Sequence, residues 1–200
     1  MLPFEQLSFW EKSTYLTKVD FLIIGSGIVG LSTAIHLKQR FPFKKVLVLE
    51  RGYLPTGAST KNAGFACIGS ASEIIDDLNH SSEQEVFTTL EKRWQGLNYL
   101  RHLLREEDID FQKNGSHELF LFGERNLYDN CLEQLDFLNT RLEEITNIPR
   151  VYQSTPQQIQ KSNFQNFENA ISNATEGQID TGKMMNSLLK LAHSLSLIHI

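Results

Sequence analysis

The chain has 200 residues, enough to bury the core of one large domain or of one and a half small ones. Its 40% hydrophobic and 22% charged content is ordinary for a globular protein, and a formal net charge of -5 gives no electrostatic footprint for DNA or RNA. Cys67 and Cys131 lie far apart, without a CxxC or a Cys/His ligand spacing, which excludes a disulfide framework or a structural zinc site and predicts reduced thiols.

Residues 1–18 read as an N-terminal extension. They lack the basic start and apolar run of a secretion signal, and no apolar stretch in the chain is long enough to span a bilayer. The expectation is a cytoplasmic protein with no transmembrane segment. Val19-Asp20-Phe21-Leu22-Ile23-Ile24 is short, apolar and rich in β-branched residues, which predicts a strand buried on both faces, as in a parallel sheet. It runs into Gly25-Ser26-Gly27-Ile28-Val29-Gly30. A helix follows, with Leu31, Ala34, Ile35 and Leu37 on one side, and Pro42 ends it. Val46-Leu47-Val48-Leu49 is a second buried strand with Glu50 at its end.

Each part of this βαβ unit has a physical task in holding a dinucleotide. Gly25 permits the tight turn, Gly27 lets the backbone approach a pyrophosphate, and Gly30 with Ala34 lets the helix pack closely. The first-turn N–H groups and the helix dipole face the phosphates. Glu50 is placed to accept hydrogen bonds from ribose hydroxyls, and its charge disfavours a 2′-phosphate, so NADP fits poorly.

In an NAD-binding domain a helix and a third parallel strand would follow soon after Glu50. Residues 51–66 instead are small and turn-forming, suited to bringing backbone N–H groups against a flat ligand. The βαβ unit followed by Gly57-Ala58-Ser59-Thr60-Lys61-Asn62-Ala63-Gly64 resembles the FAD-dependent oxidoreductases of the D-amino-acid oxidase and glycine oxidase superfamily, and most of all its bacterial D-amino-acid dehydrogenase-like branch. The resemblance implies an α/β fold (α+β overall): a Rossmann-like parallel sheet binding FAD, with an inserted substrate domain of mixed sheet and helices. It implies FAD-binding roles for Gly25, Ser26, Gly27, Ile28, Val29, Gly30, Glu50, Arg51, Ser59, Thr60, Asn62, Ala63 and Gly64. It also implies oxidation of the C–N bond of an amine or amino acid by hydride transfer to flavin N5, with oxygen or a quinone as acceptor left open. The alternatives are an inactive FAD-binding fragment, or an FAD enzyme acting on a hydroxy acid or a glycerol-phosphate-like substrate.

Further along, residues 83–106 and 126–146 have helical periodicity, Asn114-Gly115 signals a turn, and residues 117–122 read as a strand. Thr155-Pro156 opens a short helix, and another covers residues 183–193 with a strand expected next. By resemblance, residues 19–78 form the first FAD-binding segment, 79–170 a partial substrate domain, and 171–200 a truncated return to the FAD-binding domain. The hexapeptide 195–200 departs from the family and looks like a translated sequencing-library adapter, so the expectation is a C-terminally truncated copy; a natural short strand is the alternative.

No catalytic residue can be assigned. His36 reads as surface or packing, and His80, His102, His193 and His199 have no partners at metal-ligand spacing, so no metal is expected. His117 is a candidate for a pocket lining, Cys67 for covalent flavin attachment, and Arg93-Trp94 with Leu97 for the flavin pocket, core packing being favoured for the last. Lys61 and Asn62 are nearer the flavin by analogy. No nucleophile elbow or Ser/His/Asp arrangement appears, so a hydrolase has no support.

Overall fold

The computed structural model describes residues 6–162, 164–196 and 198–199. Met1 to Glu5 of the N-terminal extension, and Leu197 and Ile200 of the final hexapeptide, lie outside the described residues. The elements in order are α1 (Phe9–Glu11) with a following π-turn (Lys12–Leu16), β1 (Phe21–Ile24), α2 (Ile28–Arg40), β2 (Val46–Leu49), β3 (Phe65–Ala66), α3 (Ala71–His80), α4 (Glu83–Leu104) and α5 (Glu106–Ile109). Then come β4 (Ser116–Leu121), α6 (Arg125–Thr146), β5 (Tyr152–Ser154), α7 (Gln157–Ser162), β6 (Phe167–Asn173), β7 (Gly177–Gln178), α8 (Thr181–Ser194) and β8 (Ile198–His199).

The chain forms two compact units. Unit 1 comprises residues 1–64, 107–110 and 180–200, and unit 2 comprises residues 65–106 and 111–179. The chain thus crosses between the units at 64/65, 106/107, 110/111 and 179/180; the sequence reading puts limits at 78/79 and 170/171.

Unit 1 holds a parallel three-stranded sheet in the order β1-β2-β8. Phe21 lies opposite Val46 and Ile24 opposite Leu49, the register that brings Gly25 to the level of Glu50. Leu31, Ala34 and Ile35 of α2 are fully buried, and α2 packs on both β2 and α8, whose Met185 and Leu188 complete the apolar layer. Asp180 caps α8 by accepting from the Lys183 N–H at 2.9 Å. Residues 107–110 join this unit because α8 holds them: Lys183 Nζ pairs with Asp110 at 2.9 Å, and Ser187 Oγ donates to the Asp108 carbonyl at 3.2 Å.

One expectation is corrected. β1 is not buried on both faces: Leu22 and Ile24 are 56% and 83% exposed, while Phe21 and Ile23 are half-buried. Helix α2 covers one face of the sheet, and the alternation of side chains along β1 puts Leu22 and Ile24 on the other. β2 has Val46, Leu47 and Val48 buried, as expected.

Unit 2 is built on an antiparallel sheet in the order β4-β6-β5, with α3, α4 and α6 packed over it. Its core gathers Ile74 from α3, Leu90 from α4, Leu138 and Leu142 from α6, and Phe120, Tyr152 and Ile171 from the sheet. Trp94 packs against this core, as favoured for it. Helices α3 and α4 each start with a capping box, Ser70 with Glu73 and Ser82 with Glu85. Among the described residues no helix is long and apolar enough to cross a membrane.

Candidate functional site

The turn from β1 to α2 carries the glycine motif. Gly25 has φ +94°, a left-handed conformation that a side chain disfavours, and its N–H donates to the Leu49 carbonyl at 2.7 Å. A Cβ at Gly30 would overlap the Gly25 carbonyl, so this glycine is required by the turn's own backbone folding against the first helical turn. At Gly27 a Cβ would lie 3.1 Å from Ser59 Oγ.

Gly27 is the N-cap of α2 and brings no side-chain hydrogen bond to the helix end. The first-turn N–H groups have no intrahelical acceptors, so this end presents donors and the positive pole of the helix dipole. Ser59 arrives from the following loop, and its Oγ accepts the Ile28 N–H at 3.0 Å. The loop and the helix end thereby form one structure.

Glu50 is the electrostatic hub of the turn. Its Oε2 accepts the Ser26 N–H and the Ser26 hydroxyl, both at 2.8 Å, and its Oε1 accepts the N–H groups of Arg51 at 2.8 Å and Gly52 at 3.3 Å. Hydrogen bonds from the Ser26 N–H and then its hydroxyl are the main reason the carboxyl is lowered to about 2. Ser26 is fully buried beneath it. Its hydroxyl therefore positions Glu50, a role that spacing along the chain does not disclose.

The loop of residues 57–64 is stitched to itself. Thr60 Oγ1 donates to the Pro55 carbonyl at 2.9 Å; Asn62 Nδ2 donates to the Ala58 carbonyl at 3.0 Å, and Asn62 Oδ1 accepts the Gly64 N–H at 2.9 Å. Gly64 has φ +75°. Asn62 thus shapes the loop, and Lys61 and Ala63 are exposed on it. A cavity of about 280 Å³ opens between Gly27, Glu50, Arg51, Pro55, Gly57 and Ser59.

The other candidates separate. His36 is exposed on α2, with Nδ1 2.6 Å from the Ser32 carbonyl. Arg93 Nη1 donates to the Ile68 carbonyl at 2.9 Å. His117 and Cys67 line a second cavity of about 220 Å³ within unit 2, together with Glu118, Tyr152 and Glu176. Burial, with Glu176 and Glu73 nearby, pushes the Cys67 thiol up, so the thiolate needed for covalent attachment is disfavoured. Burial likewise pushes the Tyr152 hydroxyl well up, helped by Glu176 and Glu118; it donates to the Gly69 carbonyl at 2.5 Å.

Residues 20–197 match the family model described as FAD dependent oxidoreductase (DAO). The chain belongs to this FAD-dependent oxidoreductase family. FAD is accordingly its cofactor, and the residues present fit it: the glycine-lined N-terminal end of α2 would meet the diphosphate, and the cavity between Glu50 and the loop has room beside that end for the flanking ribose. No curated protein matches the sequence.

Solved structures of similar fold include glycine oxidase from Bacillus cereus (17% identity, TM-score 0.62, covering 91% of this chain and 47% of that one). Iminodiacetate oxidase from Chelativorans sp. is another, at 17% identity and TM-score 0.63, covering 90% of this chain and 46% of that one. A third is L-amino acid deaminase from Proteus myxofaciens in complex with anthranilate, at 18% identity and TM-score 0.61, covering 91% of this chain and 38% of that one. This DAO chain spans less than half the length of each.

Proposed function

We propose that this chain holds FAD through Gly25, Ser26, Gly27, Ile28, Val29, Gly30, Glu50, Arg51, Ser59, Thr60, Asn62, Ala63 and Gly64, in a protein that oxidises the C–N bond of a small amine or amino acid. The observation that carries the cofactor assignment is the N-terminal end of α2, where Gly27 places no side chain, beside a carboxylate fixed at the end of β2. Support for the substrate class comes from the similar folds, named for glycine, iminodiacetate and L-amino acids, each of which has an amine nitrogen.

Bound FAD would supply the acceptor for a hydride leaving the carbon that bears the amine. The chain's own residues do the rest of the work at the adenosine and diphosphate end. The α2 N–H groups and Arg51 meet negative charge on the phosphates. Glu50 stays ionised through its bonds to Ser26 and accepts from a ribose hydroxyl on the edge facing the cavity. Ser59 fixes the loop to the helix end, and Asn62 holds the loop's curvature toward Gly64.

The test is retention of FAD by the purified chain through gel filtration, read as flavin absorbance, followed by amine-dependent dye reduction by the flavin-loaded protein. Flavin retention with dye reduction by an amine or amino acid is expected. A chain that never retains FAD overturns the cofactor site, and dye reduction by hydroxy acids but by no amine overturns the substrate class.

A further inference from the structure

The corner of unit 1 where α2 turns into β2 has the sequence Lys38-Gln39-Arg40-Phe41-Pro42-Phe43-Lys44-Lys45, with basic side chains and no acid, in a chain of net charge -5. The corner is tightly built. The Lys44 N–H donates to the Phe41 carbonyl at 3.0 Å, and Lys38 Nζ donates to the Lys44 carbonyl at 2.9 Å. Phe41 stacks on Phe21 with ring centroids 5.8 Å apart. With Phe41 anchored, Phe43 projects from the tip and is 99% exposed.

The N-terminal turn is fastened to the same corner, since Lys45 Nζ donates to the carbonyls of Thr14 at 2.6 Å and Thr17 at 2.8 Å. It adds Phe9 and Trp10, 72% and 74% exposed. Of the acids nearby, Asp20 pairs with Lys44 at 2.8 Å and cancels its charge, while Glu11, held by Ser8 in a capping box, keeps one negative charge beside Trp10; Lys38, Arg40 and Lys45 leave the corner basic.

A single exposed aromatic residue is ordinary. Aromatic rings set among lysines on a convex tip are a more specific combination. Lysine is depleted at the centre of protein–protein interfaces, and a protruding tip offers a folded partner little area. A bilayer has neither limit, because headgroups close around the rings while anionic phosphates meet the basic side chains. We propose that this corner docks unit 1 on the anionic surface of a phospholipid bilayer through Phe43, Phe9 and Trp10, with Lys38 and Arg40 meeting the headgroups. Gly27 caps the opposite end of the 13-residue α2, about 20 Å away along the helix, so docking leaves the glycine turn clear of the lipid.

The experiment is flotation of the purified chain with vesicles of phosphatidylcholine alone or with about one third phosphatidylglycerol, at low salt and at about 0.5 M salt. Binding to the anionic vesicles that falls at high salt is expected. F43S should weaken it about tenfold and R40S about fivefold, with unchanged far-ultraviolet circular dichroism because both side chains are exposed. Equal recovery on neutral and anionic vesicles, no flotation at all, or F43S floating like the parent would overturn the proposal. So would light scattering that shows a dimer abolished by F43S, because the tip would then serve a second copy of the chain.

Discussion

Glu50 in unit 1 and Glu176 in unit 2 are both carboxylates that gather backbone N–H donors, yet they sit in opposite surroundings. Glu50 is partly exposed, lines a cavity, and takes its donors from the glycine turn and from the two residues after it. Glu176 is 5% exposed and accepts the N–H groups of Ile68 and Gly69 at 3.0 and 3.2 Å and the Ser116 hydroxyl at 2.5 Å. The Gly69 carbonyl in turn accepts from Tyr152 and Asn173, so one short segment is tied by side chains from β5, β6 and the residue before β7. A carboxylate at the edge of water can be shared with a ligand, whereas a buried one is committed to the backbone it holds.

This contrast is sharpened most by Glu176→Ala, which leaves the Ile68 and Gly69 N–H groups buried without an acceptor. Unit 2 should lose about 3 kcal/mol. Urea unfolding followed by the fluorescence of Trp94, which packs on that core, measures it; an unchanged midpoint would break the comparison. Next comes Gly30→Ala, whose methyl must displace the Gly25 carbonyl, costing about 2 kcal/mol and abolishing FAD retention. Ser26→Ala removes a hydroxyl bonded to a carboxylate and should cost about 1.5 kcal/mol in thermal unfolding, with FAD affinity falling as Glu50 loses its anchor.

The smallest effect is in pH. The Glu50 carboxyl titrates at about 2 in the fold against an ordinary 4.5, so its contribution is complete above 4.5 and is lost as pH falls toward 2. Acid titration of stability should show a slope in that window which Glu50→Gln flattens; an identical slope in the variant would assign it to other carboxylates.

The legibility of the sequence follows the same division. The βαβ unit, helices α4, α6 and α8, and strand β4 were visible because periodicity and turn residues are local signals. Helix α3 went unread although Ser70 and Glu73 spell a capping box, a signal the sequence does carry. Strand β6 was hidden by its composition: it is the central strand of its sheet, yet it buries Asn169 and Asn173. Asn173 is tolerated there because its Oδ1 accepts from the Thr175 N–H and hydroxyl and its Nδ2 reaches Gly69. The apolar run of β1 suggested burial on both faces, but composition does not say which layers cover a sheet.

By itself the sequence determined the glycine turn, its helix and the acid at the end of β2. Those features answer to backbone geometry set by near neighbours, such as the positive φ of Gly25 and the contact that keeps Gly30 bare. Only the tertiary structure decided that the Ser26 hydroxyl anchors Glu50, that Ser59 ties its loop to the Ile28 N–H of α2, and that Glu176 holds a segment 107 residues earlier in the chain. Which distant donor satisfies a polar side chain depends on how the elements pack, and no spacing along the chain records that.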